Sequence, residues 1–196
     1  ALDYAPADYY RYYLSSKLNT DISDIDFSLD DFIQKVNSDL IGKYINIGSR
    51  TQNFLVKLND SKIVANSLSK SKEFNATYKE IISQIDAKEY SKALKNIMML
   101  ADKVNAYVST EEPWNKAKNG EEEKCLIVCS ESLNVFKDLT ILLQSFMPEI
   151  TSEVLSMLNL QKLDYSDLGL DNIKSVQKFK PFIRRLEKTE FNGILE

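Results

Sequence analysis

The sequence predicts an all-α protein, a helical bundle, and two observations carry that prediction. The first is the scarcity of chain breakers. The 196 residues include only five Gly and four Pro, so regular elements run long, which favours helices over many short strands. The second is the spacing of the apolar residues, which recur three to four positions apart over most of the chain. A chain of this length buries one sizeable core. With 43% hydrophobic and 28% charged residues its composition is that of a globular domain. No apolar run reaches the ~18 residues of a membrane span.

Residues 6 to 18 read as a first helix, with Pro6 in its first turn. Its run of Tyr9, Tyr10, Tyr12 and Tyr13 is too dense for one buried stripe. Part of it is expected either to cover a neighbouring domain or to form a core edge with hydroxyls in water. Residues 19 to 27 form a short connection. Ser28 then caps a long helix, with Asp31 in the capping-box position. Leu29, Phe32, Ile33, Val36, Leu40, Tyr44, Ile47, Phe54 and Leu58 form its apolar stripe, and Asn37, Lys43, Asn46 and Arg50 fall off it. Gly42 and Gly48 each cost about 1 kcal/mol against Ala inside a helix. Gly48, between Asn46 and Arg50, marks either a ligand approaching the backbone or close helix packing.

Residues 59 to 71 are a polar, Ser-rich surface connection. Helices are predicted over 73–85, with Phe74, Tyr78, Ile81, Ile82 and Ile85 inward, and over 86–108, with Tyr90, Leu94, Ile97, Ala101, Val104 and Val108 inward. Glu111, Glu112 and Pro113 end the latter, and Trp114 follows at a bend. Residues 121 to 146 form a long apolar helix, and Pro148 opens a shorter one. Periodicity weakens after Leu160. The chain thus divides into a connector over 1–27, a bundle over 28–160 and a tail over 161–196.

Composition also limits the chemistry. The net charge is −4 and the pI about 5.1, which argues against a surface built to grip the phosphates of duplex DNA. A local site for RNA stays open. With no His, no Ser-His or Cys-His nucleophile pair can form. The Gly residues are scattered, so there is no phosphate-cradling loop. Most paired carboxylates sit at predicted helix starts, where negative charge suits the dipole. Cys125 and Cys129 are four apart on one helix. Without His or further Cys they cannot complete a zinc site, and they read as small core residues. No catalytic and no metal-binding residue is assigned.

Three residues fit together chemically. Asn46 and Arg50 are four apart and share a helix face. Trp114 is the sole tryptophan. An amide that donates and accepts, a rigid fork of donors and an indole are the parts needed to read unpaired RNA bases. Asn115, Lys116 and Lys118 adjoin the indole and could hold phosphates. Taken alone, Trp114 reads more simply as a core tryptophan, and the helix pair as a solvated face.

A series of motifs in order adds to this. Asp8 to Tyr13 (DYYRYY), Asp24 to Phe27 (DIDF), Asp31 to Asn37 (DFIQKVN), Asn46 to Arg50 (NIGSR), Asn105 to Val108 (NAYV) and the pair Pro113-Trp114 together resemble the methionyl-tRNA synthetase family. The likeness runs over nearly the whole chain, but only to the C-terminal, helical anticodon-binding part of that class I enzyme. It implies a bundle of the class I synthetase anticodon-binding type. It implies that the partner is the anticodon loop of tRNA(Met), with CAU read by Asn46 and Arg50 and stacked on Trp114. It implies a parent that ligates methionine to tRNA with ATP and Mg2+ in the cytoplasm. Those cofactors, and the family's zinc, belong to a catalytic domain of the same chain. The residues here are then expected to be inactive by themselves and to need no cofactor. The start, without Met or a secretory pattern, reads as a fragment's. The resemblance also places residues 181 to 187 in the family's tail, which folds back toward the enzyme body. Ser67 to Ser71 mimics the family's ATP-holding Lys-Met-Ser-Lys-Ser loop, but lacks the leading Lys, and in the family that loop comes before the anticodon domain, so it is read as a solvated stretch. Two other readings stand beside this one: the anticodon domain of the Leu, Ile, Val or Cys enzyme, or a helical protein-interaction module with no RNA role.

Overall fold

The computed structural model describes residues 4–18, 26–64 and 68–191. The connection predicted over 19–27 is therefore described only from Asp26, and Ser67 lies outside the described residues. Helix α1 (Ala7–Lys17) is followed by α2 (Leu29–Lys35), which continues without interruption through a π-helical stretch (Val36–Ile45) into α3 (Asn46–Leu58). Then come α4 (Lys72–Asp86), α5 (Tyr90–Glu111), the short α6 (Pro113–Lys118), α7 (Glu122–Leu143) and α8 (Pro148–Met157). Only an isolated bridge, Lys62 to Ser175, has β character among the described residues. Among the described residues no helix is long and apolar enough to cross a membrane.

Helix α7 is the axis. Every residue from Val128 to Leu143 is buried, because α3, α5, α6 and α8 pack around it. A helix apolar on most of its circumference has no solvent face to offer, so it takes the centre. The long apolar helix expected over 121–146 is present, and the polar residues between its apolar ones are buried too. Several of its buried polar groups are bonded to other parts of the fold, as burial of a polar group demands. Thr140 bonds to Tyr44 at 2.7 Å and Ser130 Oγ accepts from the Val64 backbone N–H at 3.1 Å.

The long helix behaves as the apolar pattern asks, with one adjustment. Phe32, Val36, Leu40 and Tyr44 are fully buried at intervals of four. An ordinary helix would let a strict interval of four drift around the axis. The π turns, wider than α turns, help hold these residues over one face. Beyond Ile47 the buried face passes to Thr51, Gln52 and Leu55, leaving Phe54 and Leu58 half-buried. Ser28 caps the helix, its hydroxyl accepting from the Asp31 backbone at 3.3 Å. Asp31 does not complete the box in return; its carboxylate accepts from the Tyr13 hydroxyl at 3.1 Å and pairs with Lys17 at 2.5 Å.

The dense tyrosine run is absorbed within the chain. Tyr9, Tyr12 and Tyr13 are fully buried, and Tyr10 stacks on Phe32 with ring centroids 4.8 Å apart. Three of the four rings are thus taken up by the core of this chain, and Tyr10 stays half-buried. Each buried hydroxyl is satisfied: Tyr12 donates to Asp39 at 2.8 Å, and Tyr9 to the Arg184 carbonyl at 2.9 Å. Asp8, fully buried, accepts from the Ile150 N–H at 2.8 Å and so caps the N-terminus of α8.

Helix α5 starts later and ends later than its pattern suggested. Lys88 has a positive φ of 61°, which delays the start to Tyr90. Ser69 is buried rather than solvated, Lys70 pairs with Asp171, and Ser71 caps α4 by accepting from the Phe74 N–H at 3.3 Å.

Residues 160–191 contain no long helix, yet they are seated by side chains of the bundle. Gln52 Nε2 donates to the carbonyls of Gln177 at 2.6 Å and Met157 at 3.1 Å. Asn37 donates to Leu186 O and accepts from Leu186 N, at 2.9 and 2.8 Å. Lys137 and Asp138, both fully buried and 2.8 Å apart, clasp one loop. Lys137 donates to the carbonyls of Asp167 and Leu170, while Asp138 accepts from Gly169 N–H at 3.1 Å. Burial raises the Asp138 carboxyl above its usual range, and Lys137 acts against that rise. Lys137→Met strands a buried carboxylate and should cost ~3–5 kcal/mol, read as a shift of the urea midpoint at neutral pH. Protonating Asp138 relieves the stranded charge. A carboxyl whose folded pKa is raised loses stability as pH climbs, so the variant's deficit should shrink as the pH is lowered.

Candidate nucleic-acid interface

Three helices converge on one exposed corner. Helix α3 brings Asn46 and Arg50, α5 brings Asn105 and Ser109 one turn apart, and α6 brings Trp114. The α5–α6 junction aims the indole. Glu112 takes a left-handed conformation with φ 44°, and Pro113, buried, occupies the first position of α6. Trp114 thus begins a short helix of its own rather than a simple bend, and this turn redirects it toward α3.

The Arg50 guanidinium lies 5.1 Å from the centre of the Trp114 ring. Such a placement attracts cation to ring by about 0.5–1 kcal/mol at an exposed site. Two further contacts hold Arg50, from Nη1 to the Asn105 carbonyl at 3.4 Å and from Nη2 to Ser109 Oγ at 3.0 Å. Asn46 Nδ2 donates to Asn105 Oδ1 at 2.9 Å. Trp114 is 37% exposed, so it is not the core tryptophan that its sequence also allowed. Arg50 lies over the ring, and the exposed part of the indole is what a flat partner can reach. The three residues that sequence placed together are together in space.

The flanking residues differ from one another. Lys116 is turned back onto the end of α5, donating to the Glu111 carbonyl and pairing with its carboxylate at 2.9 Å. Asn115 donates to Glu112 Oε2 at 3.0 Å. Lys118 is exposed. Gly48 faces the core. A Cβ built there would sit 2.8 Å from Phe136 Cε1, so its role is close approach of α3 to α7, not of a ligand to the backbone. Cys125 and Cys129 are both fully buried in α7. No cluster of three or more metal-ligating residues occurs among the described residues.

Asn105 and Ser109 belong to the cluster but were not singled out from sequence. Asn105 did stand in one of the quoted motifs. Its spacing of four from Ser109 repeats that of Asn46 and Arg50, and two such pairs on separate helices are what a facing pair of helices would show.

Known proteins resemble this chain along its length. Residues 1–52 match the family model of class I tRNA synthetases (M). Residues 60–184 match that of the anticodon binding domain of methionyl tRNA ligase. The chain belongs to this family. Its domain is 36% identical over 196 residues to a methionine–tRNA ligase of Ralstonia nicotianae, which covers 96% of this chain and 28% of that protein. It is 37% identical over 200 residues to one of Francisella tularensis, covering 100% of this chain and 30% of that protein. The anticodon-binding domain therefore spans under a third of the length of these relatives. Its fold is shared with the free-state methionyl-tRNA synthetase of Mycobacterium tuberculosis, at a TM-score of 0.82 and 18% identity, over 95% of this chain and 40% of that one.

Arg50→Ala removes the cation that covers one face of the domain's sole indole. In the absence of any RNA, Trp114 emission should shift to longer wavelength and acrylamide should quench it more strongly, with no change in helix content by circular dichroism.

Proposed function

We propose that this domain reads the CAU anticodon of methionine tRNA at the Asn46–Arg50–Trp114 corner. The observation that carries the reading is the pre-set cation–indole pair with an amide beside it. Anticodon bases are unpaired and can be splayed out of the loop. The open part of the Trp114 ring stacks a base, worth ~1–3 kcal/mol and nearly blind to sequence. Discrimination then falls to the edges. Arg50 keeps N–H groups beyond the two it spends on α5, and these suit the carbonyl and ring-nitrogen acceptors of cytosine. Asn46 supplies an amide for a Watson–Crick edge. Because Arg50 and Asn46 are already held, little side-chain freedom remains to be lost on binding. Lys118 is the flanking cation best placed for a phosphate, since Lys116 is occupied by Glu111.

On this reading the protein to which the domain belongs ligates methionine to tRNA in the cytoplasm. ATP, Mg2+ and any zinc are handled by a catalytic domain of the same chain, outside these residues. This domain by itself then recognises and does not catalyse.

The test is a titration of Trp114 fluorescence with an anticodon stem-loop carrying CAU, beside one carrying UAU. CAU should quench with an affinity at least tenfold higher than UAU, and Arg50→Ala should abolish the quench. Equal quenching by both loops would leave stacking and remove the base reading. No response to either loop at high concentration would remove the site from this domain.

A further inference from the structure

The polarity of the hydrogen bonds behind Asn46 is fixed by the fold. Asn105 is half-buried on α5, and its Nδ2 donates to two backbone carbonyls, Lys43 O and Ala101 O, each at 2.9 Å. Carbonyl oxygens only accept, so the amide of Asn105 can stand only one way round. Its Oδ1 therefore points at Asn46 and must receive a proton. Asn46 meets it with Nδ2 at 2.9 Å. Turning the Asn46 amide over would set two oxygens against each other and lose a hydrogen bond. The backbone carbonyl of Asn105 meanwhile accepts from Arg50 Nη1. One residue thus orients both candidate base readers.

The consequence lies on the outer side. Asn46, half-buried, borders with Ser49 an open groove between the long helix and residues 179–185, and the amide atom left turned away from Asn105 is Oδ1. That atom is an acceptor, with at most one N–H beside it. An acceptor held in that position favours a base that presents an exocyclic amine, as cytosine and adenine do. It disfavours one that presents a carbonyl in the same place, as uracil and guanine do.

We infer that Asn105 is a positioning residue that sets the donor–acceptor sense of Asn46, so that the site selects an amine-bearing base over a carbonyl-bearing one. This rests on the anticodon reading proposed above and adds the residue that enforces it. Asn105 itself touches no RNA in this scheme.

Two substitutions separate this role from a merely structural one. Asn105→Leu keeps the bulk and removes the acceptor, which frees Asn46 to turn. Asn105→Asp keeps an acceptor toward Asn46 but sets a carboxylate against the Lys43 and Ala101 carbonyls, so it should melt at lower temperature. The readout is the ratio of affinities for the CAU and UAU stem-loops, by Trp114 quenching, with Asn46→Ala measured alongside. Loss of about one hydrogen bond's discrimination is roughly tenfold. The ratio should therefore fall about tenfold in Asn105→Leu, as CAU loses its acceptor and UAU loses the opposed oxygen, while the quench at saturation stays. It should persist in Asn105→Asp despite its lower melting temperature. A structural role predicts the opposite order, with discrimination falling in step with stability, and that result would overturn the inference. So would an unchanged ratio in Asn105→Leu when Asn46→Ala has lost it. If Asn46→Ala keeps the full ratio, the failure lies in the base-reading assignment, and the inference falls with it.

Discussion

The fold rests on the burial of helix α7. A helix hidden over almost its whole length must be covered from every side, and the chain supplies that cover from α3, α5, α6, α8 and the irregular tail. The closest approach is that of α3, where Gly48 leaves room for the Phe136 ring. This contact fixes the position of α3 against the centre. It sets Asn46 and Arg50, on either side of Gly48, at a constant height above the core. The cost of a mid-helix glycine is accepted here because a side chain would push α3 away.

Burying α7 also buries its polar residues, and those residues organise what has no regular structure. Lys137 and Asp138 can be hidden only with each other and with backbone partners at hand, and the loop around Gly169 provides them. Gln52 and Asn37 do the same for later stretches of the tail. The irregular segment is therefore held in place by fixed hydrogen-bonding groups of the helices rather than by its own secondary structure. Such groups tolerate little displacement, since each broken bond leaves a buried polar atom without water.

The candidate interface extends the same logic to the surface. Asn105 uses its amide to satisfy two carbonyls and, in doing so, dictates which way Asn46 faces. Arg50 is braced by α5 and by the indole it covers. A recognition surface made of long side chains would normally lose their freedom when a ligand arrives. Here that ordering is done by folding, and the left-handed turn at Glu112 aims the indole. The acidic net charge fits a site of this kind, in which a few fixed contacts replace a broad field of positive charge.

Much of this was legible in the chain. Scarce Gly and Pro and the three-to-four spacing determined the helical class, because backbone propensity and amphipathic period are local properties. The Ser28 cap, the pairing of Asn46 with Arg50 on one face and the motif series leading to the family were legible for the same reason. What sequence left open depended on partners distant along the chain. The burial of the tyrosines, the π turns over Val36–Ile45 and the all-round burial of α7 follow from what packs against each element. Gly48 read as a place for close helix packing or for a ligand, and only the position of Phe136 decided it. Asn105 was one polar residue among many until Lys43, 62 positions earlier, came within hydrogen-bonding distance. Sequence by itself determined the helices and named the candidate site residues. Tertiary structure decided which way they face, because the direction of a hydrogen bond is set by whichever groups the fold brings together.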